Sequence, residues 1–295
     1  MMAAKRNTLG LNCVFLVLLP ACVAPVVQEA GTDHLDLGKF GPEAERVEVQ
    51  TYDQVSLQGV FLPGAGKAPV MLHFLPSEGS VTSGIQGFAG LAETLTGLQG
   101  QGTASLICDY RGVGASGGER DPRCLESDAW FLWQEALQRA GGDPARVLLR
   151  GVSIGTLAVA SLLHQGANPG AAVMIAPVRS ETIGRHGVHL RHGSVVGFLL
   201  SPFLRRPVEV DLVATLERSR VPILILAAEK DPYLPAEELD LVQTAAERGG
   251  HRLKVVPGDH SSLVLRAYGF EISSYAGKLA PDLLPEEATF WQDFR

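Results

Sequence analysis

The sequence predicts an α/β fold, a mostly parallel central sheet covered by helices on both faces. Three observations carry this. Short apolar runs of strand length alternate along the chain with stretches whose apolar residues recur at helical spacing. The run at 221–228 is apolar throughout rather than alternating, as expected of a strand buried on both faces. Another strand-like run, at residues 146–150, passes directly into a helical run through Gly-x-Ser-x-Gly at 151–155, a junction that turns a strand sharply into a helix.

The elements follow in order. Lys5 and Arg6 precede an apolar stretch at 9–19, the plan of a secretory signal segment and too short to span a bilayer comfortably. Leu19-Pro20-Ala21-Cys22 resembles a bacterial lipobox, which implies a signal peptide over 1–21 and lipidation of Cys22. Residues 22–42 have mixed polarity, Gly and Pro without a period, and read as a tether; one domain is expected over 43–295. Its strands are expected at 47–50 and 55–62 as an opening hairpin, then at 70–74, 104–109, 146–150, 171–175, 223–227 and 252–256. Helices are expected at 88–98, 125–140, 154–163 and 237–247. The segment from about 177 to 220 interrupts the alternation and reads as a cap insertion. Within it the run 194–204 is strongly apolar, fit for an acyl-pocket wall, a membrane-facing patch or a helix buried on the main domain.

Composition restricts the partners. Removal of Lys5 and Arg6 with the signal segment takes the formal net charge from −7 to −9, and so acidic a body argues against nucleic-acid binding. Of the four cysteines, Cys13 leaves with the signal and Cys22 is the lipidation candidate. Cys108 and Cys124 remain, either as a disulfide permitted by export or as free thiols. His186, His189 and His192 stand three apart, but no carboxylate is interleaved and arginines surround them. No metal is expected there; the segment reads as solvated and basic, suited to lipid headgroups or an anionic substrate.

Gly-x-Ser-x-Gly occurs twice. At 151–155 it runs into Leu157, Val159 and Leu162, whereas at 114–118 it runs into Glu119-Arg120-Asp121-Pro122, a polar turn. Ser153 is therefore the nucleophile candidate and Ser116 a loop residue. A serine hydroxyl attacks only when an imidazole takes its proton and a carboxylate orients that imidazole. Asp231 follows the run at 221–228 and His260 follows the run at 253–256, each at the C-terminal end of an expected strand and in the order Ser, acid, His.

On these residues the chain resembles the α/β-hydrolase superfamily, and within it the serine aminopeptidase-like and BEM46-like branch. Four segments carry the resemblance: 108–118 (Cys-Asp-Tyr-Arg-Gly-Val-Gly-Ala-Ser-Gly-Gly), 151–155, 229–235 and 257–260. The likeness spans about 46–270 and implies an α/β-hydrolase fold with Ser153, Asp231 and His260 as a triad. One departure stands out: Leu75-Pro76-Ser77-Glu78-Gly79 replaces the usual His-Gly after the third strand. Of two oxyanion-hole donors, the first is expected from the Ile154 N–H. Pro76 has no N–H, so alignment with the family loop assigns the second to Ser77. His73 reads as a strand residue.

These readings predict a serine esterase of the cell envelope, needing no cofactor, that cleaves a small-molecule or acyl ester and is held to the membrane through Cys22. Val23 beside that cysteine hints at the outer membrane. An imidazole base predicts activity that falls at acidic pH, and a serine mechanism predicts indifference to chelators. A peptidase on the same triad and a non-catalytic binding protein on the same scaffold are the alternatives.

Overall fold

Eight strands form the central sheet of the computed structural model, which describes residues 34–85, 90–193, 208–271, 278–279 and 284–294. The expected signal segment, Cys22 and the apolar run 194–204 lie outside the described residues. Strands β1 (Glu45–Gln50) and β2 (Ser56–Leu62) form the antiparallel hairpin expected at the start of the domain. In β1 the buried positions alternate, Val47 and Val49 facing inward, as suits an edge strand with one wet face.

The remaining strands are β3 (Val70–Phe74), β4 (Ala104–Cys108), β5 (Val147–Val152), β6 (Ala171–Ile175), β7 (Ile223–Ala228) and β8 (Arg252–Val256). β2 pairs antiparallel with β4, and β4, β3, β5, β6, β7 and β8 are parallel in that spatial order. Every residue of β3 to β7 is buried, the physical reason their sequences lack alternation. β8, at the far edge, carries Arg252 and Lys254 toward solvent.

Helices cover both faces. Helices α2 (Leu125–Arg139), α3 (Gly155–His164), α5 (Leu212–Arg218) and α6 (Ala236–Gly249) bury Leu132, Leu157, Leu216 and Val242 on one face. On the other, α1 (Gly90–Gly100), α7 (His260–Arg266) and α8 (Pro285–Gln292) bury Leu95, Leu263 and Trp291. Helix α4 (Ile183–His192) lies within the segment read as the cap. In that same segment α5 packs against α3 and α6 as a crossover helix of the main layer.

Helices α5 and α7 are seven residues each, too short to declare a period in the sequence, and α8 lies beyond the span of the family resemblance. The stretch 185–192, read as solvated, is helical; Arg185, His189 and Leu190 are exposed while Val188 is buried. Its spacing of apolar residues is too sparse to announce a helix.

This topology prepares a site at the C-terminal end of the central strands. The chain goes from β3 outward to β4, then crosses back over β3 to β5. The crevice beyond the C-terminal ends of β3 and β5 is thereby left uncovered by either connection, the place where open α/β sheets bind ligands.

Candidate active site

Ser153 follows β5 immediately and adopts φ +54, a left-handed conformation that costs an ordinary residue free energy and persists only where its surroundings enforce it. They do so here. The Ser153 N–H donates to the Ile175 carbonyl (2.9 Å), and the Ser153 carbonyl accepts from the Thr156 N–H (2.9 Å) and hydroxyl (2.7 Å).

The two glycines around Ser153 are required by close approach. A Cβ on Gly151 would lie 2.5 Å from the Gly155 carbonyl oxygen, and one on Gly155 would lie 2.3 Å from the Phe74 carbonyl oxygen at the end of β3. Strand β3 thus abuts the start of α3, bringing the 75–79 loop to the elbow. Ile154 is the N-cap of α3, where backbone N–H groups have no intrahelical partner and the helix dipole is positive.

The loops after β7 and β8 are joined: the N–H groups of Glu229 and Lys230 donate to the carbonyls of Val256 and Gly258 (both 2.9 Å). Asp231 is anchored by accepting the Tyr233 N–H on Oδ1 (2.8 Å). A capping box between Asp259 and Ser262 starts α7, with His260 as its first residue. The outcome is a continuous buried line: His260 Nδ1 to Asp231 Oδ2 at 2.7 Å and His260 Nε2 to Ser153 Oγ at 2.8 Å. With the carboxylate accepting from Nδ1–H, the neutral imidazole presents Nε2 as acceptor for the serine hydroxyl. The Tyr233 ring leans against the imidazole, centroids 4.8 Å apart.

The departure at 75–79 is held by groups that sequence reading missed. The Leu75 carbonyl accepts the Tyr110 hydroxyl (2.7 Å), the Ser77 carbonyl accepts Arg120 Nη2 (2.6 Å), and the Pro76 carbonyl accepts the Gly79 N–H (3.1 Å). In a trans peptide N–H and C=O point opposite ways, so the Ser77 N–H points away from the interior of that turn. Tyr110 lies in the quoted 108–118 segment and Arg120 just beyond it, but only the fold reveals their partners.

The same segment ties the Ser116 hydroxyl into its own backbone. That hydroxyl donates to the Asp109 carbonyl and accepts the Gln58 N–H (both 2.8 Å). The Asp109 carboxylate accepts the N–H groups of Val81 (2.6 Å) and Ala115 (3.1 Å). A Cβ at Gly114, φ +52, would strike that carboxylate at 2.1 Å. Arg111 ties the segment to Asp128 on α2 and to Asp53, whose carboxyl is lowered to about 2 by hydrogen bonds from Arg111 and Thr51.

Beside the acid loop, Glu238 on α6 accepts from Thr182 (2.6 Å) and meets His186 Nε2 (2.9 Å) and Arg185 (3.4 Å), fastening α4 to the main domain. Burial works to raise the Glu238 carboxyl, but these partners hold it below its ordinary value. Among the described residues no group of three His, Cys, Asp or Glu is placed to hold a metal ion. Cys108 and Cys124 are both free thiols.

Proteins of known sequence and solved structures resemble this chain. An uncharacterized protein of Mycobacterium tuberculosis is 30% identical over 225 residues, 74% of this chain and 72% of its own length. The Pyrococcus furiosus esterase Pf2001 matches with a TM-score of 0.61 at 16% identity, covering 77% of this chain and 88% of the esterase. The chain adopts the α/β-hydrolase fold. Another similar protein is the lysophosphatidylserine lipase ABHD12 of Danio rerio, 27% identical over 171 residues, 54% of this chain and 45% of that lipase. No protein-family model matches the chain. Within the α/β-hydrolase fold, the strand order seen here seats the Ser153 elbow beside β3, so the loop at 75–79 is the neighbour from which a second oxyanion donor would come.

Proposed function

We propose that this protein is a serine hydrolase that cleaves a carboxylic ester of a small or acyl substrate in the bacterial cell envelope, anchored through lipidated Cys22. The hydrogen-bonded line Ser153–His260–Asp231 carries the reading. His260 takes the Ser153 proton as Oγ attacks the carbonyl carbon, and Asp231 stabilises the resulting imidazolium. The tetrahedral oxyanion is received by the N–H groups of Ile154 and Ser77. His260 then gives its proton to the leaving alkoxide, and water activated by the same imidazole releases the acid from the acyl-enzyme.

The lipase that is 27% identical over 171 residues supports ester over amide chemistry. The lipobox-like Leu19–Cys22 supports the anchor, and Val23 supports the outer membrane where the cell has two. The test is turnover of a short- to long-chain p-nitrophenyl ester series, beside an aminoacyl amide, by protein lacking residues 1–22 and by its Ser153→Ala variant. Ester turnover that disappears in Ser153→Ala is expected. Preference for the aminoacyl amide would replace the esterase by a peptidase, and no Ser153-dependent turnover would replace catalysis by binding. Radiolabelled palmitate incorporated into the full chain but not into Cys22→Ala checks the anchor.

A further inference from the structure

Three residues before Ser153 on β5, Arg150 points to the face opposite α3 and is wholly buried, with 0% of its surface exposed. Its guanidinium engages Glu287 of α8 with two bonds, Nε to Oε1 at 2.6 Å and Nη2 to Oε2 at 3.1 Å. Nη2 also donates to the carbonyl of Ala267 at 2.6 Å. Glu287 is equally buried and accepts the Trp291 indole N–H at 3.1 Å, and the Tyr268 ring lies 5.1 Å from the guanidinium.

Ala267 is the C-cap of α7, whose first residue is His260. A helix of seven residues spans about 10 Å and moves as a rigid piece. One end of that piece therefore carries the candidate base, and the other is tied to the strand that presents the candidate nucleophile. A buried ion pair is weak evidence for stability, because an apolar pair of the same volume often serves as well. An apolar pair cannot, however, capture the Ala267 carbonyl, and a lysine lacks the planar fork needed to hold a carboxylate and a carbonyl together.

We propose that Arg150 and Glu287 are positioning residues: α8 orients Arg150, and Arg150 fixes α7 so that His260 Nε2 stays within hydrogen-bond distance of Ser153 Oγ. This rests on the serine-hydrolase reading above. It makes α8, which follows the whole triad in sequence, a working part of the site.

The experiment uses the detergent-solubilised full chain and three variants: Arg150→Met/Glu287→Met, which removes both charges at similar volume, Glu287→Gln, and Arg150→Lys. Each is assayed for thermal midpoint, kcat and KM on a p-nitrophenyl ester, and rate of Ser153 labelling by a fluorophosphonate between pH 5 and 9. In a folded double variant kcat and the labelling rate fall at least about tenfold with KM changed little, since a misplacement of about 1 Å costs up to about 10²-fold. The acid limb of its labelling profile shifts. Glu287→Gln, which preserves the Arg150 bond to Ala267, recovers most of the rate, and Arg150→Lys does not.

A folded double variant with wild-type kcat and an unchanged pH profile overturns the proposal. If the double variant does not fold, the single variants decide: kcat lost in Arg150→Lys at an unchanged thermal midpoint supports positioning, and kcat retained overturns it. Wild-type protein that the fluorophosphonate does not label at Ser153 overturns the hydrolase reading instead, an outcome separate from equal labelling of wild type and variants.

Discussion

His73 lies near the C-terminal end of β3, 1% exposed, between Ile107 of β4 and Arg150 of β5 in the sheet register. Its Nε2 lies 3.3 Å from the Ser105 hydroxyl. Burial, reinforced by the positive charge of Arg150, holds this imidazole well below its ordinary value of 6.5. The folded state therefore refuses a proton that the unfolded chain accepts below pH 6.5. The penalty is absent above that pH and grows as pH falls, by about 1.4 kcal/mol per pH unit. From pH 6.5 to 5.0 it amounts to about 2 kcal/mol, a large share of a total stability of roughly 5–15 kcal/mol. His73→Gln keeps an amide for Ser105 and does not titrate. Urea unfolding at pH 7.5, 6.5, 5.5 and 5.0 should show wild type losing about 2 kcal/mol more than the variant over the range. Parallel wild-type and His73→Gln curves would refute the reasoning. The pair also divides the fall in activity at acidic pH: the part due to the fold is relieved in His73→Gln, and the part due to a histidine base is not.

Gly155→Ala places a Cβ against the Phe74 carbonyl, a backbone atom that cannot swing aside. Overpacking of this kind costs about 1–3 kcal/mol, visible in urea unfolding together with a fall in kcat; unchanged stability would mean β3 yields freely. Arg120→Ala releases the Ser77 carbonyl. It should lower kcat by about tenfold or more, short of the 10²–10³ lost with a whole oxyanion donor, with KM little changed. Equal kcat would remove Ser77 from the oxyanion hole. Burial pushes the Cys108 thiol far above its ordinary value, so iodoacetamide at pH 8 should modify it only after denaturation, as peptide mass mapping would show. Esterase activity should also survive EDTA, whereas a chelator-sensitive activity would displace the serine mechanism.

Much of the architecture was legible because it is written in local signals. The apolar runs at 70–74, 171–175 and 223–227 appear as β3, β6 and β7 with little change in their bounds, since strands buried on both faces must be apolar at every position. The elbow was legible for a steric reason: only glycine tolerates the approaches at 151 and 155. Less legible were α7 and α8, one too short for periodicity and the other outside the quoted motifs. The helix at 185–192 was not announced because charges dominate a segment seated by Val188 and by the Glu238 contacts.

By itself the sequence determined the fold class, the order of the central strands along the chain, and which serine, aspartate and histidine stand at strand ends. Those follow from period, steric allowance and chain order, which are properties of neighbours along the chain. Tertiary structure alone decided what those groups meet. It brought residues 107 positions apart to 2.8 Å, turned Arg120 onto the Ser77 carbonyl, and joined Arg150 to Glu287 across 137 positions. An arginine in an apolar strand carries no mark of its partner, because the burial that makes the pairing obligatory exists only once the sheet and its covering helices have closed over it.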